Sequence, residues 1–487
     1  MDSARSSILR PADARPALTD LRQTLVFAAL AAAGALVIGV AVARGGSLSW
    51  IAVAVAVGLV VLPLFADYPY QALVAWIAVA GPAFPFLRIA PYVTFDRVWL
   101  GAMAVSLFVR ERVLPQARAT RLMTLALLWL AAAFGVRAAT TDLGGMQIWV
   151  DAVLLPLVLF LVVDRYVTTL AHCRVVAGAL AAAGALVGTI GIAAQAAGFE
   201  LASRSGGELR ESFETSGQYV IRPSGPYAVP EVYAVVLIVC LAATLFWTLH
   251  WFRLRVQRKV LLGVSAATIE AAAIGLSLFR AAWIAAIIVV IAAFGLRPRR
   301  YGRLLAVAGA VAALGIAGTV ELRDNTTFQT RVENTDNVSG RLATYVQGFE
   351  IFKSKPLAGV GVDQYPYVAP TVRATYVDGV KAVEFPHSSY VGALAEQGLL
   401  GFVPLLAVTF GAGYLLRAYA RRARAPGDIL LAAAATGAAL GYLLMSITLM
   451  MLPYGPSNAF LLLLLGLVAA RLNALEHETR EGEPAHA

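Results

Sequence analysis

Charge is scarce in this sequence. Only 14% of its 487 residues are Asp, Glu, Lys or Arg, against 59% hydrophobic, and the mean hydropathy is +0.74. That much apolar surface cannot be hidden in one soluble core, so most of the chain must have lipid as its solvent. Cysteine is nearly absent too: Cys173 and Cys240 fall at or inside apolar runs and match no metal-ligand or redox spacing, so no disulfide is expected. The longer polar connectors hold no DxD-like pair, which points to chemistry without a metal or other cofactor. Internal repeats are lacking as well. The net charge of +10 would suggest nucleic acid in a soluble protein. Here the basic residues sit in short connectors between apolar runs, so the expected partners are membrane lipids and not nucleic acid.

What is present is a succession of apolar runs, near 24–43, 48–66, 70–89, 97–109, 121–139, 147–163, 175–198, 228–252, 259–278, 280–296, 303–320, 388–416, 428–452 and 456–472. About 20 apolar residues cross roughly 30 Å of hydrocarbon. The expected fold is therefore an all-α polytopic integral membrane protein of about 12–14 transmembrane helices with one large, partly helical outer loop. Some runs are ambiguous: 97–109 is short, Pro82 and Pro85 interrupt 70–89, and 259–296 reads as two spans or as a pair broken around Arg280. Ala41-Val42-Ala43 imitates a signal-peptidase site, but the run before it exceeds the usual apolar core of about 7–15 residues and reads as an uncleaved first span.

Positive residues collect on alternate connectors, as the positive-inside rule requires. Arg110, Arg112, Arg118 and Arg121 share one; Arg253, Arg255, Arg258 and Lys259 another; Arg297, Arg299, Arg300 and Arg303 a third; Arg417, Arg421, Arg422 and Arg424 a fourth. Counting the runs as spans puts all four in the cytoplasm, with an N-terminal segment 1–23 and a tail 476–487. The bundle then comprises 24–321, including a shorter outer loop 199–227, and 388–475. The large outer loop, 322–387, carries seven basic and seven acidic residues. It faces the periplasm if the membrane is a bacterial inner membrane. The tail from Glu476 is expected to be disordered.

Within the large loop, Ser339 is placed to cap a helix, and Leu342, Tyr345, Val346, Phe349 and Phe352 recur at three- and four-residue spacing. The face predicted by that spacing packs on the bundle or lies at the lipid interface. Pro356, Gly359 and Gly361 end the helix in a tight turn.

His387 alone among five histidines lies on the outer side, at the start of an apolar helix. A helix N-terminus disfavours imidazolium, which leaves a neutral ring able to accept a proton, although a lone histidine is commonly structural. Arg222, Arg280 and Arg341 each stand where a loop meets the membrane. An arginine there commonly snorkels to headgroups, yet its planar fork of donors also matches phosphate oxygens. Acidic residues in the spans are few: Glu231, Glu270 and Glu396, with Asp151 near an outer end. Such carboxylates are functional or pair with arginines to hold helices together.

The order of short motifs adds to this reading. Arg222-Pro223-Ser224-Gly225 lies in one outer loop and Ser277-Leu278-Phe279-Arg280-Ala281 at a helix junction. Ser339-Gly340-Arg341 precedes Pro356-Leu357-Ala358-Gly359-Val360-Gly361, and His387-Ser388-Ser389-Tyr390 precedes Glu396-Gln397-Gly398-Leu399-Leu400-Gly401. From about Arg222 to Gly401 the chain resembles the O-antigen ligase and polymerase superfamily. It departs from the family pattern in one place, where Leu278 and Phe279 precede Arg280 although the family often has Ser and Arg adjacent.

The resemblance implies a metal-independent membrane glycosyltransferase. Its donor would be a glycan on undecaprenyl diphosphate and, for a ligase, its acceptor a hydroxyl of lipid A-core oligosaccharide. His387 would deprotonate or orient that hydroxyl, while Arg222, Arg280 and Arg341 would bind the donor diphosphate. No carboxylate is placed as a nucleophile, so direct, inverting attack is expected. Two alternatives remain: a polymerase that uses a second lipid-linked glycan as acceptor, and a lipid-linked glycan transporter. A transporter would call for internal repeats and mid-membrane ionisable residues at broken helices.

Overall fold

A computed structural model describes residues 65–482 except 66–67, 84–87, 91–92, 110–113, 198–209, 216–217, 228, 296–335, 373–374 and 383–384. The apolar runs at 24–43 and 303–320, nearly all of 48–66, and Ala41-Val42-Ala43 lie outside these residues. Every run inside them is helical: α1 (Pro69–Ala83), α2 (Phe95–Val109), α3 (Arg118–Ala139), α4 (Leu143–Trp149) continued by α5 (Leu155–Tyr166), α6 (Leu170–Ala197), α7 (Pro230–Arg253), α8 (Gln257–Leu276) and α9 (Arg280–Gly295). The loop helix α10 (Asp336–Ser354) and a single turn α11 (Tyr365–Val368) follow, then α12 (Ser389–Arg422), α13 (Pro426–Thr448) and α14 (Gly455–Gly482). Strands are confined to antiparallel hairpins, β1 (Arg88–Ala90) with β2 (Val93–Thr94), β3 (Arg210–Thr215) with β4 (Gln218–Pro223), and β5 (Tyr376–Val377) with β6 (Val380–Lys381). The fold is thus an all-α polytopic membrane protein, with eight helices among the described residues long and apolar enough to cross a bilayer.

Helix α7 is apolar on every side and is the centre of the bundle: 94% of its apolar window is buried, against α6, α8, α9 and α13. The stretch 259–296 resolves into two helices. Leu278 adopts a left-handed φ of 51° between them, and the turn makes Arg280 the first residue of α9. A second interruption, a π-helical turn at Val150–Leu154, joins α4 to α5. Asn458 donates to the Ala152 carbonyl there at 2.8 Å, so a carbonyl displaced by the bulge keeps a partner.

Of the four acids in or near the spans, two pair with arginines, Asp151 here and Glu231 below, and two do not. Asp151 takes a bidentate grip from Arg97, with Nε to Oδ1 at 2.6 Å. Glu270 accepts from the Thr244 hydroxyl at 2.9 Å. The expectation of disorder fails for residues 476–482, where α14 continues, and residues 483–487 lie outside the described ones. Glu476 meets Arg422 at 3.2 Å.

The largest departure lies in α12. The run 388–416 reads as one span, but Gly398 has φ 60° and ψ −157° inside it. The element is therefore a half-helix ending at Gln397 followed by a spanning helix from Leu399. The turn Pro356–Gly361 closes over the break. Val360 N–H donates to Ala395 O at 3.0 Å and Gly361 N–H to Glu396 O at 2.8 Å, while Leu399 and Leu400 N–H donate to Pro356 and Leu357 carbonyls at 2.9 and 3.1 Å. Two carbonyls and two N–H groups released by the break thus find partners in the loop. Glycine is required on both sides: a Cβ on Gly359 would lie 2.2 Å from the Glu396 carbonyl carbon, and one on Gly398 2.5 Å from the Leu357 carbonyl. The buried Glu396 carboxylate accepts from Tyr365 N–H at 3.2 Å and ties the same loop to the half-helix.

Candidate active site

Arg222 is the penultimate residue of β4, just before a β-turn in which Tyr227 N–H donates to Ser224 O at 3.1 Å. The turn returns the chain to α7, whose first-turn Glu231 accepts from Arg222 Nη1 at 2.9 Å. Arg222 is 5% exposed at its side chain, so this ion pair is screened little by solvent. The Arg-Pro-Ser-Gly-Pro motif therefore holds a guanidinium over the end of the central helix.

Arg341 reaches the same place from α10. Burial lowers its pKa first, and the nearby positive charges of Arg280 and Arg222 lower it further. The Tyr345 hydroxyl and the Glu231 carboxylate act in the opposite direction. Arg341 is thus close enough to Arg222 and to Arg280 to sense the charge of each, although the three were predicted from separate motifs.

His387 precedes the half-helix of α12, whose cap is Ser388: its Oγ accepts from Val391 N–H at 3.4 Å. Burial chiefly, and then the Arg341 charge, push the His387 pKa from 6.5 down to about 4, with Glu231 partly opposing them. The ring is neutral at physiological pH, as the sequence predicts. The main cause is desolvation and not the helix dipole. Its Nδ1 is buried and meets no hydrogen-bond partner among the described residues. The backbone is pinned by Tyr345, whose hydroxyl lies 3.0 Å from the His387 carbonyl and 2.8 Å from that of Ile447.

Loop helix α10 departs from its predicted form at its N-terminus. It starts at Asp336, so Ser339 lies inside it and donates to Asp378 Oδ2 at 3.0 Å instead of capping. The face buried against the rest of the protein carries Ala343, Thr344, Gln347 and Ile351. The predicted apolar positions Leu342, Val346 and Phe349 are each close to half exposed. Spacing alone cannot distinguish these two faces in a membrane protein, because a lipid-facing stripe and a core-facing stripe are both apolar.

Two residues of this site were not assigned a role from the sequence. Glu231 was visible only as an intramembrane acid, and Tyr345 only as one member of an apolar stripe. Glu231 could have been suspected from its place in the first turn after the Arg-Pro motif. Among the described residues no three His, Cys, Asp or Glu side chains gather as metal ligands.

The bundle defines a multi-pass membrane protein, and where its loops meet the helices it gathers arginines beside a buried histidine. Residues 265–406 match the family described as O-Antigen ligase. That segment contains Arg280, Arg341, His387 and the broken helix, and over it the chain is similar to the O-antigen ligase and polymerase superfamily. Arg222 lies outside the matched segment. No curated protein matches the chain.

Proposed function

We propose that the protein is a metal-independent O-antigen ligase that moves a glycan from undecaprenyl diphosphate to a hydroxyl of lipid A-core at the outer face of a bacterial inner membrane. The reading rests on one observation: Arg341 couples to His387 on one side and to Arg222, Arg280 and Glu231 on the other. The arginines bind the diphosphate and stabilise the charge it gains as leaving group. His387, held neutral, takes the proton of the acceptor hydroxyl as that oxygen attacks the anomeric carbon. The C–O bond to the diphosphate breaks in the same displacement, which inverts configuration. The diphosphate is already an activated leaving group, so positioning and charge neutralisation supply much of the rate.

The test is a product assay with purified protein, a defined lipid-linked glycan and lipid A-core, in chelator. Core-attached glycan is the expected product. Elongation of the donor glycan without core would favour the polymerase reading, and dependence on added metal would contradict the mechanism.

A further inference from the structure

A second cationic cluster occupies the end of the bundle opposite the loops. Arg174 projects from the first turns of α6, His250 and Arg253 from the last turn of α7, and Lys259 from the first turn of α8. Arg174 Nη1 lies 3.0 Å from His250 Nε2, which as a neutral ring nitrogen accepts the bond. Lys259 Nζ sits 3.5 Å above the Trp251 ring. Lys259 lies within reach of the Arg174 charge, and both act on His250 together with Arg253. Among the described residues neither Arg174 nor Lys259 has a carboxylate partner. Like charges gathered from three helices repel, so the arrangement calls for an anion.

The surroundings select a lipid as its source. Trp247 and Trp251 stand edge to face at this level, as indoles do at a membrane interface. Further along α8, Leu261 and Leu262 are 69% and 65% exposed. Cations above an apolar helix face match a phosphate head above an acyl chain.

We propose that Arg174 and Lys259 form a binding site for the phosphate headgroup of an anionic membrane lipid in the leaflet away from the loops. The site is independent of the transfer reaction, because it lies at the other end of α7 from Glu231. Basic residues near an anionic bilayer surface contribute about 1 kcal/mol each. Replacing two of them should therefore weaken the preference for anionic lipid roughly 30-fold.

The test uses the full chain in detergent micelles titrated with brominated phosphatidylglycerol or brominated phosphatidylcholine, with tryptophan quenching as the readout. The expected result is tighter binding of phosphatidylglycerol by the wild type and loss of that preference in the Arg174→Gln/Lys259→Gln variant. Equal quenching by the two lipids, or an unchanged preference in the double variant, would overturn the proposal. So would displacement of phosphatidylglycerol by millimolar inorganic phosphate, since the site would then serve a soluble anion. A double variant that elutes as aggregate is replaced by the single Lys259→Gln variant, for which about a fivefold loss of preference is expected and none would count against the site.

Discussion

The Tyr390 hydroxyl and Thr409 Oγ1 lie 3.2 Å apart although nineteen positions separate them within α12. In a straight helix nineteen residues rise about 28 Å, so the half-helix must fold back beside the spanning helix at an acute angle. His387, at the far end of that half-helix, is consequently held below the Gly398 break and not at the top of the bundle. The loop that covers the break also carries α10 with Arg341 and Tyr345. One local event, the broken helix closed by Pro356–Gly361, therefore positions both the histidine and one of its arginines.

The first prediction concerns that event. Gly398→Ala places a side chain at φ 60° and against the Leu357 carbonyl. Left-handed strain and overpacking together should cost about 3 kcal/mol or more. Thermal unfolding in detergent should show a lower midpoint, and the folded fraction should transfer poorly because the half-helix is misplaced.

The second concerns Arg222 and Glu231. Glu231→Gln leaves a buried guanidinium without its counter-charge, which is costly and lets it move. Transfer should fall roughly tenfold or more. Because the two residues act as one unit, Arg222→Gln/Glu231→Gln should be scarcely worse than Arg222→Gln alone. Initial rates across the four proteins measure the coupling, and simple additivity would show that the ion pair is only structural.

The third is pH dependence. His387 has a native pKa of about 4, below its ordinary 6.5. The stability gained by keeping it neutral is complete above pH 6.5 and is lost as pH falls from there toward 4. The acid limb of kcat/KM, which reports the free enzyme, should likewise lie near 4. Donor diphosphate neutralises the Arg341 charge beside the ring, so the acid limb of kcat should lie at higher pH than that of kcat/KM.

A fourth prediction isolates positioning from chemistry. Tyr345→Phe removes the hydroxyl shared by the His387 and Ile447 carbonyls, a loss of about 1 kcal/mol. The rate should fall roughly fivefold while the pH profile keeps its shape. A changed acid limb would mean that Tyr345 acts on the ring itself.

Much of this arrangement was legible in the sequence. Long apolar runs specify helices because lipid leaves the backbone no other way to pair its polar groups. Arginines interrupting such runs stood out because a charged side chain is costly in lipid. What hydropathy could not reveal was the break at Gly398, since a half-helix folded back is as apolar as a straight span. Nor could it show that α10 turns Leu342 and Val346 outward, because the sequence does not say which apolar face meets protein and which meets lipid. Glu231 escaped assignment because its partner, Arg222, is reached only through the tight turn at Ser224–Tyr227.

The account stands most directly on the base. The decisive measurement is glycan transfer between defined donor and acceptor lipids, in chelator, by wild-type and His387→Ala proteins that elute alike and unfold at similar temperatures. A general base contributes about 10²–10⁴-fold, so the variant should fall by at least about a hundredfold with donor binding retained. Transfer by His387→Ala at the wild-type rate would contradict the account.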